Sequence, residues 1–114
     1  MQLWAFRAGD RIEGSPVVCG DLVCFGSHDG CLYAVQAHSG ELAWKFETRD
    51  PVRGSALATA GVVYFASNDR FLYGIDANTG KDVWRYRAPH ETISSPALAD
   101  GVLYFGGADI GKRV

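Results

Sequence analysis

The sequence predicts an all-β protein built from a repeat of about forty residues. The first observation is the period, because tryptophans stand at positions 4, 44 and 84. The second is that "QAHSGELAW" (residues 36–44) and "DANTGKDVW" (residues 76–84) share Ala, a hydroxyl residue, Gly and Trp in the same order. The third is that the segments between turn signals are short and rich in Val, Leu, Tyr, Phe and Trp, which favour strands. A fixed period of this length is typical of repeat architectures.

The copies align over most of the chain without a gap. The segment that begins at Gly14 matches the one that begins at Gly54, and a third, partial copy begins at Ser94. Aromatic and acidic residues coincide in all three copies, namely Phe25, Phe65, Phe105, Asp29, Asp69 and Asp109.

Turn residues divide each copy into strands. Links of about two residues require antiparallel hairpins. Such links are Gly20-Asp21, Ala60-Gly61 and Asp100-Gly101, and further turns of the first copy are Asp29-Gly30 and Ser39-Gly40. One copy is therefore a four-stranded meander. The predicted strands cover residues 3–8, 15–19, 22–27, 31–36, 41–47, 55–59, 62–67, 71–75, 81–87, 95–99 and 102–107.

The central strands show no alternation of apolar and polar residues. Runs such as "GVVYFAS" and "GVLYFGG" are apolar on both faces, so we expect both faces to be buried. Small meanders that bury both faces must pack against a neighbour on each side, and their radial stacking is the β-propeller. A linear β-solenoid is the competing geometry, although its coils are usually shorter.

The predicted architecture is about two and three-quarter blades of an incomplete ring over residues 1–114. Its parts are an outer strand of a preceding blade (3–8), two blades (15–47 and 55–87), a half blade (95–107) and an atypical tail (108–114). Propellers usually have about 4 to 8 blades. The expected partners are therefore other blades, supplied either by a longer protein of which this is a fragment or by self-association.

Composition excludes some functions. A net charge of −2 gives no electrostatic reason to expect nucleic acid as a partner. No apolar run is long enough to span a bilayer, and the first thirty residues lack the order of a signal peptide. Cys19, Cys24 and Cys31 lack the paired spacing of a structural zinc site and are expected to be small apolar fillers, with a disulfide as the alternative.

The candidate chemistry is sparse, and we expect no catalytic residue and no metal ligand. "SHDG" (residues 27–30) resembles a compressed catalytic triad, but adjacent side chains in a tight turn diverge, so a turn role is expected for Asp29. Glu13, Arg53 and Glu91 precede successive inner strands, where variable residues could line a binding mouth. They are the candidates for ligand contact, and a solvated loop is the alternative for each.

The pattern "LYA-DA-TGK--W" resembles the repeat of the quinoprotein-like (PQQ-like) β-propellers. The second copy departs from it at Arg70, a usual Gly, and at Gly74, a usual Ala, and the first copy departs at Gln36 and Ser39. Eight positions of the second copy fit closely: Leu72, Tyr73, Asp76, Ala77, Thr79, Gly80, Lys81 and Trp84.

The resemblance implies a structural role for the tryptophans. In that family the Trp of the outermost strand docks against an adjacent blade, near the Thr-Gly turn and a small residue. Trp44 and Trp84 would then be wedges between blades, with Trp4 the same feature of a preceding blade. The receiving residues would be Ala37, Gly40, Ala77, Thr79 and Gly80. A surface platform for a sugar or a base is the rival interpretation of the tryptophans.

Two function classes remain. The first is a non-catalytic propeller that acts as a scaffold or a ligand sensor, without a cofactor in this chain. The second is part of a quinoprotein alcohol dehydrogenase, whose family members hold PQQ and Ca²⁺ at the propeller centre. The adjacent Cys-Cys pair typical of that enzyme class is missing from this chain. The resemblance also implies a periplasmic or extracytoplasmic location.

Overall fold

The computed structural model describes residues 5–88, 95–105 and 110–113 of the 114-residue chain. Two four-stranded antiparallel sheets and one three-stranded sheet follow one another along it. The first sheet holds β1 (Val17–Cys19), β2 (Leu22–Gly26), β3 (Cys31–Gln36) and β4 (Leu42–Glu47). The second holds β5 (Leu57–Thr59), β6 (Val62–Ala66), β7 (Phe71–Asp76) and β8 (Asp82–Arg87). The third holds β9 (Pro96–Ala99), β10 (Val102–Phe105) and β11 (Ile110–Arg113).

Each sheet is a meander, as the turn residues predict. Strands pair in chain order, and every pair is antiparallel. The hairpins between β5 and β6 and between β9 and β10 have positive φ at both central residues, 51° and 78° at Ala60-Gly61 and 51° and 74° at Asp100-Gly101. Two consecutive positive φ values define a type I′ turn, whose twist matches that of the flanking strands.

The cores lie between the sheets. Leu32 and Ala34 of the first sheet pack with Phe65 and Ile75 of the second, and all four side chains are fully buried. Leu72 of the second sheet packs in the same way with Leu103 and Phe105 of the third. The three sheets are therefore successive blades of a partial β-propeller. The sequence predicts burial of both faces for "GVVYFAS" and "GVLYFGG", and this is confirmed for β6, where residues 63–66 are buried. The prediction is wrong for β10, because Tyr104 on one face of that strand is 49% exposed.

The first strand of each blade begins later than predicted. The prediction began at residues 15 and 55, but β1 begins at Val17 and β5 at Leu57. The backbone amide of Ser15 instead donates to Ser55 Oγ at 2.7 Å, and the amide of Ser55 donates to Ser95 Oγ at 2.7 Å. These amides are used between blades, so they do not extend the ladder within a blade.

The predicted strand at 3–8 is not found where the structure can be compared. Residues 5–8 form no strand, and residues 3 and 4 lie outside the described part of the chain. An outer strand needs an inner neighbour for its ladder of hydrogen bonds. Instead, Phe6 packs on the first blade, with its ring centroid 5.8 Å from Phe25 and 5.3 Å from Tyr33.

The predicted atypical tail contains a strand. β11 pairs with β10 from Val102↔Arg113 to Phe105↔Ile110, so the predicted half blade has three strands in the structure. The letters "IGKR" lack the aromatic pattern of the equivalent strands β3 and β7, but pairing requires only backbone groups. Residues 106–109 and 114 lie outside the described part of the chain.

Candidate functional site

The outer strand of the first blade carries a tryptophan that lies on the second blade. The indole Nε1 of Trp44 donates a hydrogen bond of 2.8 Å to the carbonyl oxygen of Ala77. Gly80 has φ 75° and lies against the same indole, so that a Cβ at this position would be 2.7 Å from Trp44 Cγ. The turn Thr79-Gly80 therefore receives the indole because glycine has no side chain and adopts positive φ without steric cost.

A β-bulge precedes this tryptophan. The register of β3 and β4 shifts between Ala34 and Val35, opposite Trp44 and Leu42. The second blade repeats the shift between Gly74 and Ile75, opposite Trp84. Because a bulge adds a residue to one strand and increases the local twist, it re-aims the side chain that follows. The bulge recurs at the equivalent position of the second blade, so it is a feature of the repeat.

Trp84 occupies the position in the second blade that is equivalent to Trp44, forty residues later. Its indole stacks on Phe105 of the third blade, with centroids 6.4 Å apart and an angle of 16° between the ring planes. Gly40 of the first blade has φ 75°, as Gly80 does, and is buried. Trp4, which the resemblance places against Gly40, lies outside the described residues.

Small residues hold the turns beside the tryptophans. The amide of Ala37 donates to the carbonyl of Asp21 at 2.8 Å, and that of Ala77 to the carbonyl of Gly61 at 2.9 Å. Each alanine therefore joins the last turn of its blade to the first one.

The departure of Gly74 from the family pattern has a steric cause. Gly74 lies opposite Tyr64, and a Cβ there would be 3.1 Å from the tyrosine ring. The equivalent pair in the first blade is Ala34 opposite Cys24. A large residue on one strand is thus matched by a smaller one on its neighbour.

A second repeated set of contacts joins each connection between blades to the hairpin that follows it. In the second blade, Ser67 Oγ donates to the carbonyl of Asp50 at 3.0 Å. The Asp69 carboxylate accepts hydrogen bonds from the Tyr73 hydroxyl at 2.7 Å and from the Arg49 amide at 3.3 Å. We call this set of Ser, Asp and Tyr the latch.

The first blade has the same latch. Ser27 Oγ donates to the carbonyl of Asp10 at 3.4 Å, and Asp29 accepts from the Gly9 amide at 3.1 Å and from the Tyr33 hydroxyl. The sequence predicted only the turn role of Asp29, which its hydrogen bond from the Cys31 amide at 2.9 Å confirms. The serine and the tyrosine were missed, although both recur forty residues apart.

The latch of the first blade shifts the pKa values of Asp29 and Tyr33. Burial opposes the ionisation of Asp29, but the hydrogen bonds from Tyr33, the Cys31 amide and Ser27 outweigh it and lower the pKa of this carboxyl. Burial and the hydrogen bond to Asp29 raise the pKa of Tyr33 to about 12. The folded state therefore favours a charged aspartate beside a neutral phenol.

We expect the stability of the protein to fall at alkaline pH. The folded pKa of Tyr33 is about 12 and its ordinary value is 10.0, so the contribution of the neutral phenol is complete below pH 10 and is lost as the pH rises towards 12. Tyr33→Phe should flatten this decline of the unfolding free energy, measured by urea denaturation at several pH values. Tyr104→Phe, at an exposed position, is the control. An unchanged decline in Tyr33→Phe would contradict the role of the latch.

Two of the predicted ligand-contact residues lie in the segments before β1 and β5. Glu13 Oε1 lies 2.9 Å from His28 Nε2, and the His28 side chain is 10% exposed. Arg53 stands one repeat after Glu13, and Asn68 one repeat after His28. Arg53 Nε and Asn68 Oδ1 are buried and without a hydrogen-bond partner among the described residues. Glu91 lies outside the described part of the chain.

The described residues offer no cluster for a metal ion and no favoured thiolate at Cys24. Within residues 5–88 and 95–105, no three His, Cys, Asp or Glu side chains cluster in a way that could hold a metal ion such as Ca²⁺. Burial and the nearby Cys19 raise the pKa of the Cys24 thiol to about 12, so the reactive thiolate is disfavoured there. No helix among the described residues could cross a membrane.

Docked four-stranded meanders with a forty-residue period define a β-propeller repeat protein. The family model described as outer membrane protein assembly factor BamB matches residues 1–114. The chain therefore belongs to this family of PQQ-like repeats.

Solved structures agree with the family. The chain is similar to BamB from Moraxella catarrhalis, with 28% identity and a TM-score of 0.76 over 91% of this chain and 33% of that one. A quinohemoprotein alcohol dehydrogenase from Pseudomonas putida HK5 has 24% identity and a TM-score of 0.74, over 86% of this chain and 17% of that one. A europium-containing methanol dehydrogenase has 19% identity and a TM-score of 0.74, over 88% and 21%.

The two dehydrogenases share the fold at low identity. The chain spans about a third of the length of the BamB structure and about a fifth or less of the dehydrogenases. No curated protein sequence matches the chain significantly.

Proposed function

We propose that this chain supplies consecutive blades of a non-catalytic propeller that acts as a protein-binding scaffold. The observation that carries the proposal is the similarity to BamB, at 28% identity over 91% of the chain. The description of the matched family names a factor for outer membrane protein assembly. A scaffold of this kind works outside the cytoplasm, so we also propose an extracytoplasmic location.

The contacts between blades support a scaffold. Trp44 is bonded to Ala77 of the next blade, and Trp84 stacks on Phe105 of the blade after it. The latches join each connection to its following hairpin. A surface held by repeated contacts of this kind loses little conformational freedom when a partner binds, which favours affinity.

Site-specific photo-crosslinking in cells tests the proposal. A photoreactive amino acid is placed at one of two exposed positions, Asp10 in a connection between blades or Glu41 at the turn before an outer strand. The protein is expressed from its full reading frame, and the products are identified by mass spectrometry. We expect a discrete product with a component of outer membrane protein assembly from one of these two positions. The position that gives no such product then serves as the control for random collision.

Two results would contradict the scaffold. One is the absence of a discrete product from both positions. The other is stoichiometric binding of added PQQ and Ca²⁺, seen as a bound-quinone absorbance, because it would favour the dehydrogenase alternative.

A further inference from the structure

A groove of about 570 Å³ opens between the end of β4 and the outer strand β8. Three arginines line it, namely Arg49, Arg85 and Arg87. We call it the arginine groove. It is a local concentration of guanidinium groups in a protein whose net charge is −2.

The two carboxylates in the groove have partners from the chain itself. Asp69 is the acceptor of the latch, and its oxygens take hydrogen bonds from the Tyr73 hydroxyl and from the backbone amides of Phe71 and Arg49. Glu47 Oε1 lies 3.7 Å from Lys45 Nζ. These contacts leave both negative charges in place, so three arginines face two carboxylates and the lining keeps a net charge of +1.

One arginine has partners in the groove, and the other two have no ion pair with the described residues. Arg85 lies over aromatic rings, with Cζ 5.1 Å from the Tyr73 centroid and 5.7 Å from the Phe71 centroid, and its Nη2 is 3.1 Å from Asp82 Oδ2. Arg49 and Arg87 are exposed and make no ion pair within residues 5–88 and 95–105. Among the described residues, the groove thus has one guanidinium over aromatic rings and two without an ion pair beside it.

The internal repeat shows that the fold does not require these arginines. One repeat earlier, the positions of Arg49, Arg85 and Arg87 hold Gly9, Lys45 and Glu47. The first blade nevertheless has the same strands, the same bulge and the same latch. Residues that differ while the architecture is retained are free to serve recognition.

We propose that the arginine groove binds an extended acidic segment of the protein partner, an inference that rests on the proposed scaffold function. Guanidinium groups bind carboxylates through paired hydrogen bonds, which an ammonium group does not match. The partly exposed ring of Phe71 offers apolar surface to the side-chain stems of a peptide. A small inorganic anion would use the charges but not the Phe71 ring.

Fluorescence anisotropy with a labelled hexaglutamate peptide tests this inference. The protein is expressed from its full reading frame, and hexaglutamine is the uncharged control probe. We expect Arg49→Gln/Arg87→Gln to weaken hexaglutamate binding about five- to tenfold, as for two exposed ion pairs. Lys81→Gln, at an exposed position outside the groove, should change it less than about twofold. Both arginines are exposed, so thermal denaturation should be unchanged.

Three outcomes would overturn the inference. They are equal binding of hexaglutamine, an equal loss in Lys81→Gln, and displacement of the peptide by inorganic triphosphate at the same concentration of charge. The first shows that charge is irrelevant, the second that attraction is diffuse, and the third that the site takes small anions. The crosslinking experiment uses other positions, so a failure of this inference can be told apart from a failure of the scaffold function.

Discussion

Replacing Trp44 with alanine is expected to lower the free energy of unfolding by about 3 kcal/mol. The substitution removes the indole from the interface between the first two blades and leaves the Ala77 carbonyl without its donor. The value is at the lower end of the range for large aromatic residues because the ring is only partly buried. Urea denaturation followed by circular dichroism measures it.

Two variants separate the contributions of the indole. Trp44→Phe keeps most of the ring volume but removes the Nε1 donor, so it should cost about 1 kcal/mol. Leu42→Ala removes a side chain that is 47% exposed on the same strand, and it should cost less than about 1 kcal/mol. An unchanged denaturation midpoint in Trp44→Ala would contradict the docking of this tryptophan between blades. It would favour the rival interpretation, in which the tryptophan is a surface platform.

Replacing Gly80 with alanine is expected to cost about 3 kcal/mol, combining backbone strain with overpacking. The φ of 75° is unfavourable for alanine, and the new Cβ would be 2.7 to 2.9 Å from three atoms of Trp44. The backbone or the indole must then move.

Gly61→Ala is the matched control for this substitution. Gly61 has φ 78°, but nothing lies within 4 Å of a Cβ placed there. It should therefore cost only the strain of positive φ, about 1 to 2 kcal/mol. The difference between the two variants, measured by urea denaturation, isolates the contact with Trp44. Equal costs would show that the indole does not press on the turn.

A double-mutant cycle tests whether the two residues act together. Trp44→Ala removes the ring on which the new Cβ of Gly80→Ala would press, so the costs should not add. We expect the double variant to be at least about 0.5 kcal/mol more stable than the sum of the single effects predicts. Strict additivity would indicate that Gly80 is strained for a reason unrelated to the tryptophan.

The docking elements were largely predictable, and the latch and the groove were not. The internal repeat singles out Trp44 and Gly80, and the family resemblance implies that these two residues are in contact. For Asp29, turn chemistry explains the bond to the Cys31 amide two residues away. Its bond to the Gly9 amide joins residues twenty positions apart, which no local pattern reveals.

The sequence by itself determined the repeat, the meander and the burial of the central strands in the first two blades. These depend on period, turn residues and side-chain type, which are local properties of the chain. Only the tertiary structure decided which groups of different blades meet. It joined the Ser15 amide to Ser55 Oγ and so shortened β1, and it brought Arg49, Arg85 and Arg87 into one groove. The physical reason is that such contacts depend on the packing of one blade against the next, which fixes distances between residues remote in the chain.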